Sequence, residues 1–174
     1  MQQALGSTEA ARTLIVYRKN RYCPQTSFLP EWYVKRIEEV EGVESVLPVK
    51  VYLNNCRASL DLVSFQGSPV DRMLESRSIQ IVEGDVDTYR REHDAALVGQ
   101  DFARRKGLTV GESFRFGGID VKVRGIFEST EKVEESLILT HLEYLQRAGP
   151  VNRLGTVTQF EVRITEADRA RELA

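Results

Sequence analysis

Apolar residues fall in short runs separated by charged or turn-forming stretches. Thr13-Leu14-Ile15-Val16-Tyr17 is β-branched and apolar, which predicts a buried strand. Arg18 to Phe28, with its charges and Pro24, reads as a loop. Pro30 suits the first position of a helix, and Tyr33, Val34, Ile37 and Val40 recur at i, i+3, i+4 and i+7. Gly42 ends that helix. Val43 to Leu53 predicts a second strand, with Pro48 at an edge or a bulge. Asn54-Asn55 is a turn signal. Cys56 to Gln66 predicts a third strand, with Leu60 and Leu62 on one face and Val63 and Phe65 on the other. That change of phase implies a bulge or burial on both faces.

Beyond Gly67-Ser68-Pro69 the pattern changes. Val70 to Glu75 predicts a short helix, Ile79 to Val82 a short apolar segment, and Glu83 to Asp94 a polar loop. Ala95 to Val98 predicts a strand. Asp101 to Lys106 predicts a helix whose charges suit its dipole and whose C′ residue is Gly107. Glu112 to Phe116, Gly117-Gly118 and Ile119 to Phe127 predict a hairpin, with Ile119, Val121 and Val123 alternating against Asp120, Lys122 and Arg124. Ser129 to Glu135 reads as a charged loop and Leu137 to Leu139 as a strand. Thr140 with Glu143 forms a capping box for a helix to about Arg147, stopped by Gly149-Pro150. Val157 to Ile164 predicts the last strand, and Thr165 with Asp168 opens a helix that is cut at Ala174.

Strand–helix–strand order occurs twice, over Thr13 to Leu53 and Leu137 to Ile164, around a β-rich stretch of different character. The expected fold is therefore α+β: a ferredoxin-like split βαβ lobe, with the intervening stretch as a second, smaller lobe.

At 174 residues and 19.8 kDa the chain can bury a core without a staple. Twenty-four basic and 26 acidic side chains give a net charge of −2, which argues against a general nucleic-acid binder. No apolar run reaches the roughly 18 residues of a membrane span. There is no phosphate-binding glycine loop, no GxGxxG and no GxSxG. His141-Leu142-Glu143 lacks downstream cysteine ligands, and Glu143 already has a capping role. Glu83, Asp85 and Asp87 lack the later bidentate Glu of a calcium loop and read as solvated acids. Arg90-Arg91 and Arg104-Arg105-Lys106 read as a solvated loop and a helix C-terminus. No catalytic, cofactor or metal constellation emerges. Cys23 and Cys56 are either two small buried hydrophobes or one disulfide. Trp32 lies off the helical stripe, as a partner anchor or as a side chain under the Cys23 loop.

Three stretches resemble the extracytoplasmic core domain of MacB/FtsX/LolC-type ABC transporter permeases. Ile37 to Pro48, with Gly42-Val43 and Pro48, is similar to the family's "I..ipGV..v.P" signature. Phe65-Gln66-Gly67, then Glu83-Gly84 and Ala96-Leu97-Val98-Gly99, resemble its "v.G" and "G......vvlG" segments. Phe102 to Phe114, continuing through Gly118 to Val123-Arg124-Gly125-Ile126-Phe127, resembles "la..lg..vGd.i.l.g....VvGi". The pieces keep the family's order across most of Leu14 to Ile164, and the Arg18-to-Pro30 loop lies outside the general pattern.

The resemblance implies a porter-like βαβ lobe, residues 12–68 and 133–174, carrying an inserted β-rich (Sabre-like) lobe, residues 69–132. It implies transmembrane helices on either side of the segment and a position on the periplasmic side of the cytoplasmic membrane. It favours the Cys23–Cys56 disulfide. It also implies a non-catalytic role, without cofactor, passing ATP-driven conformational change to a periplasmic protein, lipoprotein or amphiphile. The ATPase would be a cytoplasmic subunit or domain reached through the membrane helices, and the full-length transporter a dimer. Candidate partner surfaces are the long charged segments holding Glu83, Asp85, Asp87, Arg90 and Arg91, and Glu131, Lys132, Glu134 and Glu135, together with Trp32. The rival readings are a free-standing soluble ligand- or protein-binding module and a small hydrolase.

Overall fold

The computed structural model describes residues 12–21, 26–55, 62–149 and 153–167. The strands are β1 (Thr13–Val16), β2 (Leu29–Pro30), β3 (Val43–Asn55), β4 (Leu62–Ser68), β5 (Ile79–Gly84), β6 (Ala95–Gly99), β7 (Ser113–Phe116), β8 (Ile119–Ser129), β9 (Leu137–His141), β10 (Thr156–Val157) and β11 (Gln159–Ile164). The helices are α1 (Tyr33–Glu38), α2 (Val70–Ser76), α3 (Val86–Arg91), α4 (Gln100–Lys106) and α5 (Leu142–Arg147), with a 3-10 turn at Lys132–Ser136. The fold is α+β.

Nine strands form one sheet in the order β1-β11-β3-β4-β9-β6-β8-β5, with β7 also paired to β8. β11 runs antiparallel to both β1 and β3, so β1 and β3 are parallel and split by it. With α1 between them they form the first βαβ unit. β9, α5 and β11 form the second, and its crossover passes β4 and β3. Residues 69–132 supply β5 to β8, and their strands meet the rest at the pairing of β6 with β9.

Each face of the sheet carries a core. Val63, Phe65, Val98, Val121 and Ile138 pack on one face against Phe102 of α4 and Leu145 of α5. Leu47, Val49, Leu97, Phe127 and Leu139 pack on the other against Met73 of α2 and Tyr89 of α3. Successive residues Ile138 and Leu139 serve opposite cores, as a strand covered on both sides requires. A third cluster joins Val34 of α1 to Val46, Phe160, Val162 and Ile164. In β8 the pairing with β6 shifts register at Arg124, which ends the Ile119–Val121–Val123 alternation and turns Phe127 toward the second core.

Several sequence expectations change. β1 is a sheet-edge strand, with Ile15 43% and Val16 37% exposed, because among the described residues β11 alone pairs with it. Pro30 does not start α1. It pairs with Thr156, and the Glu31 amide donates to the Gly155 carbonyl. Val40 lies past the helix and is exposed. Pro48 lies in the part of β3 that pairs with β11, whereas β4 pairs only from Lys50 onward. The polar stretch 83–94 contains α3, which Asp85 caps by accepting from the amides of Asp87 and Thr88. There is no Thr140 capping box: Thr140 is buried inside β9, where it pairs with Ala96 and Gly67. His141 takes the N-cap position without a side-chain capping bond, and its Nε2 lies 2.7 Å from the Tyr89 carbonyl oxygen instead. Cys23, Cys56 and the expected helix after Thr165 lie outside the described residues, and so does the expected disulfide.

Gly107 and Gly99 are two of the positions that require glycine. Gly107 ends α4 at φ 66°, a left-handed conformation that carries a penalty for residues with a Cβ. A Cβ on Gly99 would lie 2.3 Å from the Glu135 carbonyl oxygen, so the 3-10 turn seats directly on the end of β6. Gly99→Ala is expected to cost at least about 2 kcal/mol, measured by urea denaturation, because backbone rather than a mobile side chain must yield.

Candidate functional site

Because β1 and β11 end the sheet, the face opposite α1 is open there. A groove of about 360 Å³ runs over it. Its floor includes Ile15 of β1, Leu47 of β3 and Glu161 of β11, and its wall includes Arg77, Val133 and Glu134. Val133 is 78% exposed.

Arg77 follows α2, with its side chain 5% exposed. One guanidinium nitrogen donates to Glu134 Oε1 at 3.0 Å. The other donates to Glu161 Oε1 at 3.1 Å and to Gln66 Oε1 at 2.7 Å. These partners come from the 3-10 turn, β11 and β4, so one buried cation ties residues 69–132 to both flanking segments. With Glu131 and Arg163 also lining the groove, three carboxylates face two guanidinium groups, and the lining is acidic by one charge. Charges held this way are costly to unpair.

The charged residues singled out from the sequence occupy two places. Glu131 and Glu134 line the groove; Glu83, Asp85, Asp87, Arg90 and Arg91 lie instead along β5 and α3. In that second patch Arg90 pairs with Asp71 at 3.2 Å and Asp87 at 3.3 Å, and Arg91 donates to the Thr88 hydroxyl. The Thr88 hydroxyl, followed by the Asp87 and Thr88 amides, holds the Asp85 carboxyl below its ordinary pKa. Trp32 is 58% exposed, with its ring edge-on to Tyr33 at 4.4 Å and the Arg36 guanidinium 5.8 Å away.

Glu135 is a correction to the expected exposed set. It is 1% exposed and accepts from Lys132 Nζ at 2.6 Å and from the Ser129 amide at 3.2 Å. The Lys132 bond, aided by that amide, holds its carboxyl below the ordinary value even though burial opposes this. Its role is to seat the turn that carries Glu131, Val133 and Glu134. Lys132 is exposed and spends its charge on this bond.

The sequence agrees with the model of the MacB-like periplasmic core domain over residues 1–174. The chain belongs to that family. This MacB-like domain also resembles solved structures in fold. One is the periplasmic region of MacB from Actinobacillus actinomycetemcomitans, with TM-score 0.65 and 9% identity over 99% of this chain and 85% of that one. Another is the extracellular domain of the noncanonic ABC-type transporter YknZ from Gram-positive bacteria, with TM-score 0.62 and 16% identity over 92% and 88%. Among curated proteins, none matches the sequence. Among the described residues of the MacB-like domain, no helix is long and apolar enough to cross a membrane.

Sequence reasoning missed Arg77, Gln66, Glu161 and Ile15. A single arginine between a helix and a strand carries no periodic signal. The one available clue was Val133, an apolar residue inside a charged run.

Arg77→Met removes the charge and keeps much of the volume. It is expected to cost about 3 kcal/mol in urea denaturation, and adding Glu161→Gln should recover part of that loss. A second expectation concerns pH. The folded Glu135 carboxyl holds its proton less tightly than the unfolded one. Its stabilisation is therefore present above the ordinary Glu value and lost as the pH falls through the lower folded value. Glu135→Gln should lower the urea midpoint at pH 7 and flatten its decline between about pH 5 and 3.

Proposed function

We propose that this domain is the extracytoplasmic lever of an ABC transporter permease. It receives ATP-driven movement from a cytoplasmic ATPase subunit or domain through transmembrane helices. It passes that movement to a periplasmic protein, lipoprotein or amphiphile, and it catalyses no reaction itself. In the full-length transporter it works as one of a pair, on the periplasmic side of the cytoplasmic membrane.

The observation that carries this reading is the single nine-stranded sheet with apolar cores on both faces. A lever must transmit displacement without deforming, and close-packed interiors have low compressibility. The porter-like lobe, residues 12–68 and 133–174, and the inserted β-rich lobe, residues 69–132, move together because both cores cross their junction and Arg77 pins it from the side. The groove beside Ile15 and Val133 and the charged β5–α3 patch are the docking surfaces, and Trp32 offers a third contact. Family membership and the two periplasmic or extracellular structural relatives support the placement.

The test uses spin labels at exposed positions in the full-length transporter in lipid nanodiscs. The Val133-to-Val133 distance between protomers should change between the nucleotide-free and ATP-bound states. The Trp32-to-Val133 distance within one protomer should stay fixed. A constant inter-protomer distance in both states removes the lever reading.

A further inference from the structure

A second cavity, of about 310 Å³, lies on the α5 side of β3 and is lined by Phe28, Lys50, Val51, Tyr52, Leu145 and Arg153 among others. That volume is at the low end of small-molecule sites, which run from roughly 300 to 1,000 Å³. Most of its walls are apolar. Tyr52 presents its ring, since its hydroxyl donates to the Gly117 carbonyl at 2.8 Å. The Thr158 hydroxyl is also engaged: it donates to the Val49 carbonyl and accepts from the Val51 amide.

The polar end of this cavity carries two positive charges. Lys50 is 8% exposed, an uncommon position for a lysine. Its ammonium donates to the Thr156 carbonyl at 3.3 Å and the Thr156 hydroxyl at 3.2 Å, which leaves a third N–H. The Arg153 guanidinium lies 4.1 Å from the centre of the Phe28 ring, and Lys50 Nζ lies 5.4 Å from the same ring. Among the described residues neither cation forms an ion pair. Glu31, a nearby acid, is bonded to Gln146 Nε2, and the same nitrogen donates to the Thr156 carbonyl. Ring faces and neutral oxygens compensate the buried Lys50 and the half-buried Arg153 only partly. Burial, and then the charge of Arg153, push the Lys50 pKa down to about 8.

We infer that this cavity is a binding site for a small amphiphilic carboxylate. Its anionic head is held between the Lys50 ammonium and the Arg153 guanidinium, and its apolar body lies against Tyr52 and Leu145. Among the described residues the site supplies donors without a matching acid, so its complement is an anion. Apolar walls on the remaining sides favour an organic anion over a bare inorganic one. A planar guanidinium held over the Phe28 ring can still offer N–H groups to a carboxylate. The site stands apart from the groove at Arg77 and does not depend on the lever reading.

Decanoate is the probe, titrated calorimetrically into the 174-residue chain at pH 7, with decanol and acetate as controls. Decanoate should bind at least about tenfold more tightly than either control, because only it satisfies both ends of the cavity. Arg153→Gln, at a position outside the cores, should weaken decanoate binding about tenfold or more and leave the far-ultraviolet circular dichroism unchanged. Lys50→Met should weaken it to a similar extent. Equal binding of decanoate and decanol, equal binding of decanoate and acetate, or unchanged affinity in Arg153→Gln would each overturn the assignment.

Discussion

Three residue pairs between β6 and β9 hold the two parts of the sheet together: Ala96 with Thr140, Leu97 with Leu139, and Val98 with Ile138. A ladder that short is weak by its hydrogen bonds alone, since each contributes only about 1 kcal/mol net. It is reinforced because all six residues are buried and five of them feed cores on both faces. Opening the junction would expose both cores at once. The sheet is therefore one body, although two stretches of sequence with different character build it.

Charge reinforces the same joint from outside. Arg77 reaches from the end of α2 to Glu134, Glu161 and Gln66, and each of those partners sits on a different element. A buried ion network adds little net stability compared with apolar packing, but its geometry is demanding. Its contribution is to fix where α2 and the 3-10 turn stand beside the open sheet face. That placement creates the groove. Glu135 and Gly99 do the same from below: one anchors the turn by charge and amide bonds, the other by leaving room for its backbone.

The two cavities differ in electrostatic character. The groove lining sets Arg77 and Arg163 against Glu131, Glu134 and Glu161 beside an exposed valine, which leaves it acidic by one charge and partly apolar. The cavity at Lys50 and Arg153 holds two cations and aromatic walls at small volume, which suits a small anion. One sheet carries both, the groove at its β1 edge and the cavity on the α5 side of β3.

The local order of this fold was legible in the sequence. Period-2 and period-3.6 patterns located the hairpin at Gly117-Gly118, the helix ended by Gly107, the strand from Val43 and the two βαβ units, because each depends on neighbours within a few residues. The ordered glycine and hydrophobic motifs identified the family for the same reason. Patterns misled where a distant partner competed. Pro30 joined Thr156 rather than α1, Thr140 entered a strand rather than a cap, and β1 stayed half-exposed at a sheet edge. The charged candidates were visible as residues but not as a site: Glu135 turned inward, and the groove took shape only when Arg77 met Glu161, 84 positions away. Sequence set the elements because their causes are short-range. Tertiary structure alone decided which charges are buried together and which cavities they line, because that depends on contacts between segments far apart along the chain.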